Sequence, residues 1–310
     1  MQRFHPTSRS QALPCKALRS IDEQRFMPSG QRRLSLQISG VLGMYQESRS
    51  ALSALLALAE IRKIGVVGRF MPDSGVSALL AARGIAENVE EADFFRFRRI
   101  VIPYAGVSPK QRRAWEEQGI ALDDFSGAQV RRAQVALGLM KMEGAQGLVI
   151  GRHDDPETLA IAGSNAGIRI IEDTTDTARL AFSPAFGVVC QTTLSPRKTA
   201  WLVQQLRFRY RDAKVTFLDT ACPTMAMREE ALEKLLAVCE TAVIVGEPGE
   251  ASCGALVETA LRRGRTAHIV ETPADLENLD FSGNPKVALS AGAFATDEAI
   301  QAIARALVGS

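Results

Sequence analysis

The sequence predicts an α/β protein built on parallel sheets. Its 310 residues are 46% hydrophobic and 23% charged, a balance typical of a folded soluble protein with a sizeable core. From Ile64 onward, short apolar runs alternate with segments of helical periodicity, and this alternation is typical of parallel sheets covered by helices. At about 100 to 200 residues per domain, a chain of this length holds two or three compact units.

The N-terminal part differs from the rest of the chain. Residues 1 to about 45 combine Arg, Ser, Gln and Pro without a sustained period, which predicts an extension without regular structure. Its basic residues leave two interpretations open, an organelle-targeting segment and a misassigned start codon. Residues 47–63, ESRSALSALLALAEIRK, place apolar residues at helical spacing and predict a helix.

Short apolar runs predict the strands, and amphipathic stretches between them predict the helices. Ligands of parallel sheets bind at the loops that follow the strands, so we expect the functional residues there. Several of these loops enter a helix through Ser or Thr, sometimes followed by Pro, which caps the helix. The predicted strands are KIGVVG, RIVIPYAG, QGLVIG, FGVVCQTT, KVTFLDT, TAVIVG, TAHIVE and KVALSAG. The clearest helices are SPKQRRAWEEQG, SPRKTAWLVQQLRFRYR and MREEALEKLLAVCE.

The order of the loops resembles one known family. AGVSP, GRHDDPE, QTTLS, AC before a helix, VGEPGEASCGALVETA and SAGA follow one another as in the LytB family of 4-hydroxy-3-methylbut-2-enyl diphosphate reductases of isoprenoid synthesis. Agreement of several loops over residues 64–308 is more specific than one short motif. The resemblance implies three α/β lobes around a central pocket. It also implies an iron–sulfur cluster, held by one Cys from each lobe, whose unique iron meets the substrate hydroxyl.

The resemblance also gives domain boundaries. We expect an N-terminal extension and helix at residues 1–60. The first lobe is expected at residues 61–122 plus 286–310, the second at 123–191 and the third at 192–285.

The three cluster ligands of the family map onto Asp73, Gly127 and Cys222. Asp73 of PDSGVSALLAA stands at the first Cys, Gly127 of DDFSGAQV at the second, and Cys222 of DTACPTMAMRE keeps the third. Thiolates are the soft, anionic ligands that suit iron. With one thiolate of three retained, we predict that the chain has lost the cluster and the family's reductase activity.

Residues that bind the diphosphate in the family are also replaced. The changes remove imidazole and hydroxyl groups and add carboxylates. Phosphates buried without donors are costly, and a nearby carboxylate repels them. The replaced positions are Ala105 and Asp155 (each for a His), Glu250, Ala251 and Ser252 (for Ser-Ser-Asn) and Phe294 (for a later Ser).

The acidic residues at the positions of the family's pocket therefore predict an acidic central pocket. Such a pocket suits an amine, a guanidinium or a divalent cation such as magnesium better than a diphosphate. We expect the partner to be another small polar metabolite. The predicted acidic residues are Asp73, Asp155, Glu157 and Glu250.

Three residues are the catalytic candidates. Glu157 stands at the position of the family's proton-relay Glu, and Thr192 of QTTLS is placed to orient a substrate. His153 lies beside two aspartates in GRHDDPE and is a candidate proton shuttle. Thr193 and Ser252 are predicted to bind substrate with the carboxyl groups.

Two alternatives stay open. One is an iron–sulfur reductive dehydroxylase with unusual ligands, Cys190, Cys222 and Cys253, because each lies at or just after a strand end. The competing explanation for these thiols is that a free Cys packs as a small buried hydrophobe. The other alternative is a non-catalytic partner subunit of an active paralogue, which docks through the N-terminal extension.

Charge and cysteine content exclude several function classes. Thirty-seven Lys and Arg against 35 Asp and Glu give a net charge of +2, too small a field to recruit nucleic acid. No apolar run approaches the roughly 20 residues that span a bilayer. The 5 Cys are odd in number, widely spaced and form no CxxC motif, so the sequence indicates neither a disulfide scaffold nor a zinc ribbon. We expect a cytoplasmic protein that binds neither nucleic acid nor membranes.

Overall fold

Three separate parallel sheets form the framework of the protein. The computed structural model describes residues 34–59, 63–163, 167–281 and 286–309. All strand pairings in these sheets are parallel, so the predicted α/β class is confirmed. In this part of the chain, no helix combines the length and the apolar character needed to cross a membrane.

Strands and helices alternate along the described residues. The strands are β1 (Ser35–Ile38), β2 (Ile64–Val66), β3 (Arg99–Ile102), β4 (Leu122–Asp124), β5 (Gln146–Ile150), β6 (Ile168–Ile171), β7 (Ala185–Cys190), β8 (Lys214–Phe217), β9 (Thr241–Val245), β10 (Thr266–Val270) and β11 (Lys286–Ala291). The α-helices are α1 (Gln46–Ala59), α2 (Ser74–Ala82), α3 (Pro109–Glu117), α4 (Ala128–Met142), α5 (Pro156–Ala162), α6 (Thr174–Arg179), α7 (Pro196–Arg209), α8 (Pro223–Leu236), α9 (Ala251–Arg262) and α10 (Asp297–Gly309). Two short 3-10 helices cover Glu91–Arg96 and Pro273–Asn278.

Each sheet defines one lobe. The first lobe has the strand order β2-β3-β4, and the second has the order β6-β5-β7-β8. The third lobe has the order β1-β11-β9-β10. The three predicted lobes are therefore present, one for each sheet.

The lobes divide the chain differently from the boundaries that we predicted. β11 was expected in the first lobe, but it pairs with β9 of the third, with Val287 opposite Thr241. β8 was expected in the third lobe, but it pairs with β7 of the second. A strand–helix–strand unit returns the chain to a neighbouring place in the same sheet, and β7-α7-β8 follows this rule.

The N-terminal region is more ordered than predicted. Residues 34–45 were expected to lack regular structure, yet β1 pairs with β11 from Ser35 opposite Lys286 to Ile38 opposite Leu289. The following helix is present as α1. The segment before residue 34, with Cys15 and the candidate targeting sequence, lies outside the described residues.

Helix caps fix the loops that follow the strands. Ser108 and Ser195 each accept a hydrogen bond from a first-turn backbone N–H, and a proline follows each of them. Proline presets the first helical turn, and the hydroxyl satisfies an N–H that has no partner within the helix. These loops are therefore held at the carboxyl ends of their strands.

An apolar cluster lies between the first and third lobes. It contains Tyr45 before α1, Phe70 after β2, Tyr104 after β3, Met225 of α8 and Phe294 after β11. These residues come from the first lobe, from the segment that includes α1 and from the third lobe, so the cluster joins the first and third lobes.

Candidate ligand pocket

A cavity of about 540 Å³ lies where loops from the three sheets meet. Its lining comes from the loops after β2, β3, β5, β7, β9 and β11. The carboxyl ends of parallel strands are where α/β proteins bind ligands, and this volume suits a small metabolite.

Carboxyl groups outnumber guanidinium groups on the described walls of the cavity. Both arginines already have acidic partners. Arg69 forms two hydrogen bonds to Glu247, of 2.6 and 2.8 Å, and Arg152 lies 3.2 Å from Asp154. The lining carboxyl groups are Asp154, Asp155, Glu157, Glu247 and Glu250. The surplus of carboxyl groups makes the lining acidic.

Glu157 is the most enclosed of these carboxyl groups, with 5% of its surface exposed. It accepts hydrogen bonds from the backbone N–H of Thr192 and, at 2.9 Å, from the Thr192 hydroxyl. Burial, followed by the charge of Asp155, raises the pKa of Glu157 to about 8. At neutral pH this group therefore holds a proton.

Asp155 and Glu250 line the cavity and also begin helices. Asp155 accepts the N–H of Glu157 at 2.9 Å and caps α5. Glu250 accepts the N–H of Ser252 at 2.9 Å and that of Cys253 at 3.1 Å, and caps α9. Burial raises the pKa of Asp155 and that of Glu250 above their ordinary values.

The remaining residues that we expected at the site lie at different depths. Thr193 lines the cavity, whereas the neighbouring Thr192 lies outside the lining and donates a hydrogen bond from its hydroxyl to Glu157. Ser252 is fully buried and accepts the N–H of Ala293 at 2.7 Å. The structure therefore brings together Asp155, Glu157, Thr193 and Glu250 on the wall, with Thr192 and Ser252 behind it.

His153 and Asp73 do not line the cavity. The His153 imidazole is about half-exposed, and its Nε2 lies 2.8 Å from the Asp176 carboxylate. Asp73 accepts the N–H of Val76 at 2.8 Å and caps α2. Burial raises the pKa of Asp73. A catalytic role for His153 stays a prediction, whereas the main contact of Asp73 is structural.

The structure does not bring Cys190, Cys222 and Cys253 together. Cys190 is buried in the second lobe beside Thr220, and burial raises the pKa of its thiol to about 12. Cys253 is buried behind β9, and burial raises its pKa well above the ordinary value. Across the described residues, no group of three His, Cys, Asp or Glu side chains is arranged to hold a metal ion.

The three positions that we matched to the family's cluster ligands hold a carboxylate, a glycine and one thiol, rather than three thiols. Cys222 begins α8 beside the central apolar cluster, and Asp73 is engaged as a helix cap. At Gly127, a Cβ atom would lie 3.1 Å from two carbons of the Tyr104 ring, which is closer than ordinary van der Waals contact. The ring therefore crowds this position, and it would have to shift to admit a side chain.

Sequence reasoning missed Arg69, Glu247 and Tyr104. Arg69 follows β2 and Glu247 follows β9, so their position after strands was the available signal. Their pairing joins two lobes, and no local spacing predicts it. The role of Tyr104 depends on a glycine that is near it only in the folded chain.

Comparisons with known proteins agree on one family. The model of the family described as "LytB protein" matches residues 48–308. The 4-hydroxy-3-methylbut-2-enyl diphosphate reductase of Ralstonia nicotianae is 29% identical over 207 residues, which cover 66% of this chain and 64% of that protein. The chain thus spans just under two thirds of this relative. The reductase of Acinetobacter baylyi is 29% identical over 227 residues, 71% of this chain and 72% of the relative.

The fold is similar to that of a solved structure as well. The E-1-hydroxy-2-methyl-but-2-enyl-4-diphosphate reductase from Plasmodium falciparum superposes with a TM-score of 0.80. The superposition covers 89% of this chain and 88% of that chain at 20% sequence identity. At this identity the likeness establishes a shared fold.

Proposed function

The chain belongs to the LytB family, and we propose that it is a member without iron–sulfur reduction whose central pocket binds a small organic cation. The observation that carries this proposal is the charge of the lining. Of the five carboxyl groups on the cavity wall, Asp154 and Glu247 pair with the two guanidinium groups and Glu157 holds a proton at neutral pH, which leaves Asp155 and Glu250 as the carboxyl groups available to a cation.

Aromatic rings support the choice of an organic cation. Phe70, Tyr104 and Phe294 contribute to the same lining as the carboxyl groups. Aromatic faces attract ammonium groups, and a desolvated contact of this kind contributes about 2 kcal/mol. A carboxylate and an aromatic ring together suit a substituted ammonium group better than they suit a bare metal ion, which prefers oxygen ligands alone.

A diphosphate does not suit this lining. Glu250 stands where the family resemblance places a hydroxyl donor, and its oxygens already accept N–H groups. A phosphate about 4 Å from an ionised carboxylate is repelled by roughly 4 kcal/mol per charge pair at an effective dielectric near 20. Each such contact is enough to reduce binding by more than a hundredfold.

Ligand binding tests the pocket. Thermal shift and calorimetry would compare choline with its neutral isostere, in which a tert-butyl group replaces the trimethylammonium, and with inorganic diphosphate and Mg²⁺. We expect choline to raise the melting temperature and the isostere to have little effect, because a ligand of the native state stabilises it. A stronger response to diphosphate than to choline would contradict the proposal.

A matched pair of variants locates the binding. Asp155→Asn removes a charge from the cavity wall while keeping a residue that caps α5 well. Asp173→Asn makes the same change at the cap of α6, away from the cavity. We expect about tenfold weaker choline binding in the first variant and no change in the second.

Anaerobic purification tests the loss of the cluster. We expect a colourless protein with less than one iron or sulfide per ten chains after reconstitution with iron and sulfide. A brown protein with stoichiometric iron would instead favour a reductase with unusual ligands, whatever the result with choline.

A further inference from the structure

We infer that Tyr104 and Gly127 form a size-matched pair in which the ring occupies the position of the second cluster ligand, and that this pair excludes an iron–sulfur cluster from the central pocket. Tyr104 is then a specificity-determining residue, because it decides what the centre of this fold can hold. The inference goes beyond the proposed ligand and is independent of whether a cation binds.

The backbone of Gly127 gives no reason for a glycine. Its φ of −54° and ψ of 143° are open to any residue. The reason is space, since a Cβ at this position would lie 3.1 Å from both Cε1 and Cζ of Tyr104 and 3.4 Å from its hydroxyl oxygen. A cysteine adds a sulfur beyond that carbon and needs still more room.

Contacts of both the backbone and the ring hold Tyr104 in place. Its backbone is fixed on both sides, because its N–H donates to Phe70 at 3.1 Å and its carbonyl accepts the N–H of Gly127 at 3.0 Å. Its ring packs edge-on against Phe294, with centroids 5.7 Å apart. Displacing the ring would therefore disturb a loop of the first lobe and a contact to the third.

Residues around α1 pack against the same aromatic rings. Tyr45 packs against Phe294, with ring centroids 6.4 Å apart, and its N–H donates to Ala293 at 3.2 Å. The buried guanidinium of Arg228 lies 5.2 Å from the centroid of the Tyr45 ring. Tyr45, Tyr104 and Phe294 together form what we call the central aromatic cluster, which lies against Cys222.

A second observation shows that the neighbourhood of Gly127 is adapted to the glycine. Gly127 has no side chain with which to cap α4. Glu47 of α1 accepts the N–H of Ala128, the first residue of α4, at 2.6 Å. A carboxylate from another segment thus satisfies a free N–H of this helix N-terminus, while the Tyr104 ring lies beside the glycine.

Restoring cysteines tests the exclusion. Asp73→Cys with Gly127→Cys gives three cysteines at the ligand positions together with Cys222. After anaerobic reconstitution we expect this double variant to retain almost no iron or sulfide, and the same variant with Tyr104→Ala to retain several iron atoms per chain. Equal iron with and without the tyrosine ring overturns the inference, as does a folded Tyr104→Ala triple variant that retains none.

A double-mutant cycle tests the size match without any metal. We expect Gly127→Ala to lower the melting temperature by roughly 3 °C or more in the wild-type background, and by less than about 1 °C when Tyr104 is Ala or, for a milder change, Leu. Gly138→Ala is the control, because it adds a methyl inside α4 with no atom within 4 Å and should shift the melting temperature equally in both Tyr104 backgrounds. Equal shifts for Gly127→Ala in both backgrounds show that the ring is not the obstacle. The cycle decides the inference if the cysteine variants do not fold.

Discussion

Replacing Glu157 by Gln is expected to make the stability of the protein less dependent on pH. The pKa of Glu157 is raised from 4.5 to about 8, first by burial and then by Asp155. At about 1.4 kcal/mol per pKa unit, this difference amounts to roughly 5 kcal/mol. Gln resembles the protonated form, because it is neutral and keeps a carbonyl oxygen that can accept from Thr192, whose hydroxyl donates to Glu157 at 2.9 Å.

The sign follows from proton binding in the two states. Between pH 4.5 and about 8, folded Glu157 holds a proton that the unfolded chain has released. The stabilising contribution is therefore complete below pH 4.5 and lost as pH rises through about 8. Glu157→Gln and wild type should be similar near pH 4.5, and the variant should be the more stable by several kcal/mol at pH 9.

Urea unfolding between pH 5 and pH 9 measures this difference. We expect the gap between the two midpoints to grow with pH to roughly 1 M urea. Glu116→Gln, an exposed change on α3, is the matched control and should give a constant gap. A constant gap for Glu157→Gln as well would refute the assignment of a buried, protonated carboxyl group.

Three further substitutions test the packing. Arg228→Met should lower the free energy of unfolding by about 3 kcal/mol, because the guanidinium donates to the buried carbonyl groups of Ala291 and Gly43. Phe294→Ser should cost about 4 kcal/mol through the cavity it leaves, and should not create diphosphate binding. Asp73→Ala should cost about 1 kcal/mol by removing the cap of α2, whereas Asp73→Asn should stay near wild type.

Urea denaturation with matched controls checks these values. Arg305→Met and Phe95→Ser make the corresponding changes on the surface, where Phe95 is 84% exposed, and should cost less than about 0.5 kcal/mol. Equal losses for Phe294→Ser and Phe95→Ser would contradict the role of the central aromatic cluster. A large loss for Asp73→Asn would contradict a role for Asp73 that is limited to capping.

The buried strands were predictable because their sequences are continuously apolar. β5, β7, β9 and β11 are almost fully buried, and such runs identify strands of a parallel sheet. β1 alternates exposed and half-buried residues over four positions, and β4 consists of Leu-Asp-Asp. Strands this short and polar depend on their neighbours in the sheet, so local pattern does not identify them.

The site was predictable where a residue follows a strand directly. Asp155, Glu157, Thr193 and Glu250 line the cavity because parallel strands direct their following loops to one place. His153 belongs to the same loop as Asp155, yet it faces Asp176 outside the cavity. The direction of a loop side chain depends on its partner in another segment, and the linear sequence does not contain that information.

The insertion of β11 between β1 and β9 determines the order in which the molecule is completed during synthesis. All strands of the first two sheets have been synthesised before Lys286 leaves the ribosome. At that stage β1 and β9 each have an unpaired edge, because β11, which pairs with both of them, is made near the end of the chain. Open edges pair readily with other chains. Products that stop short of this strand are therefore the species most prone to aggregate.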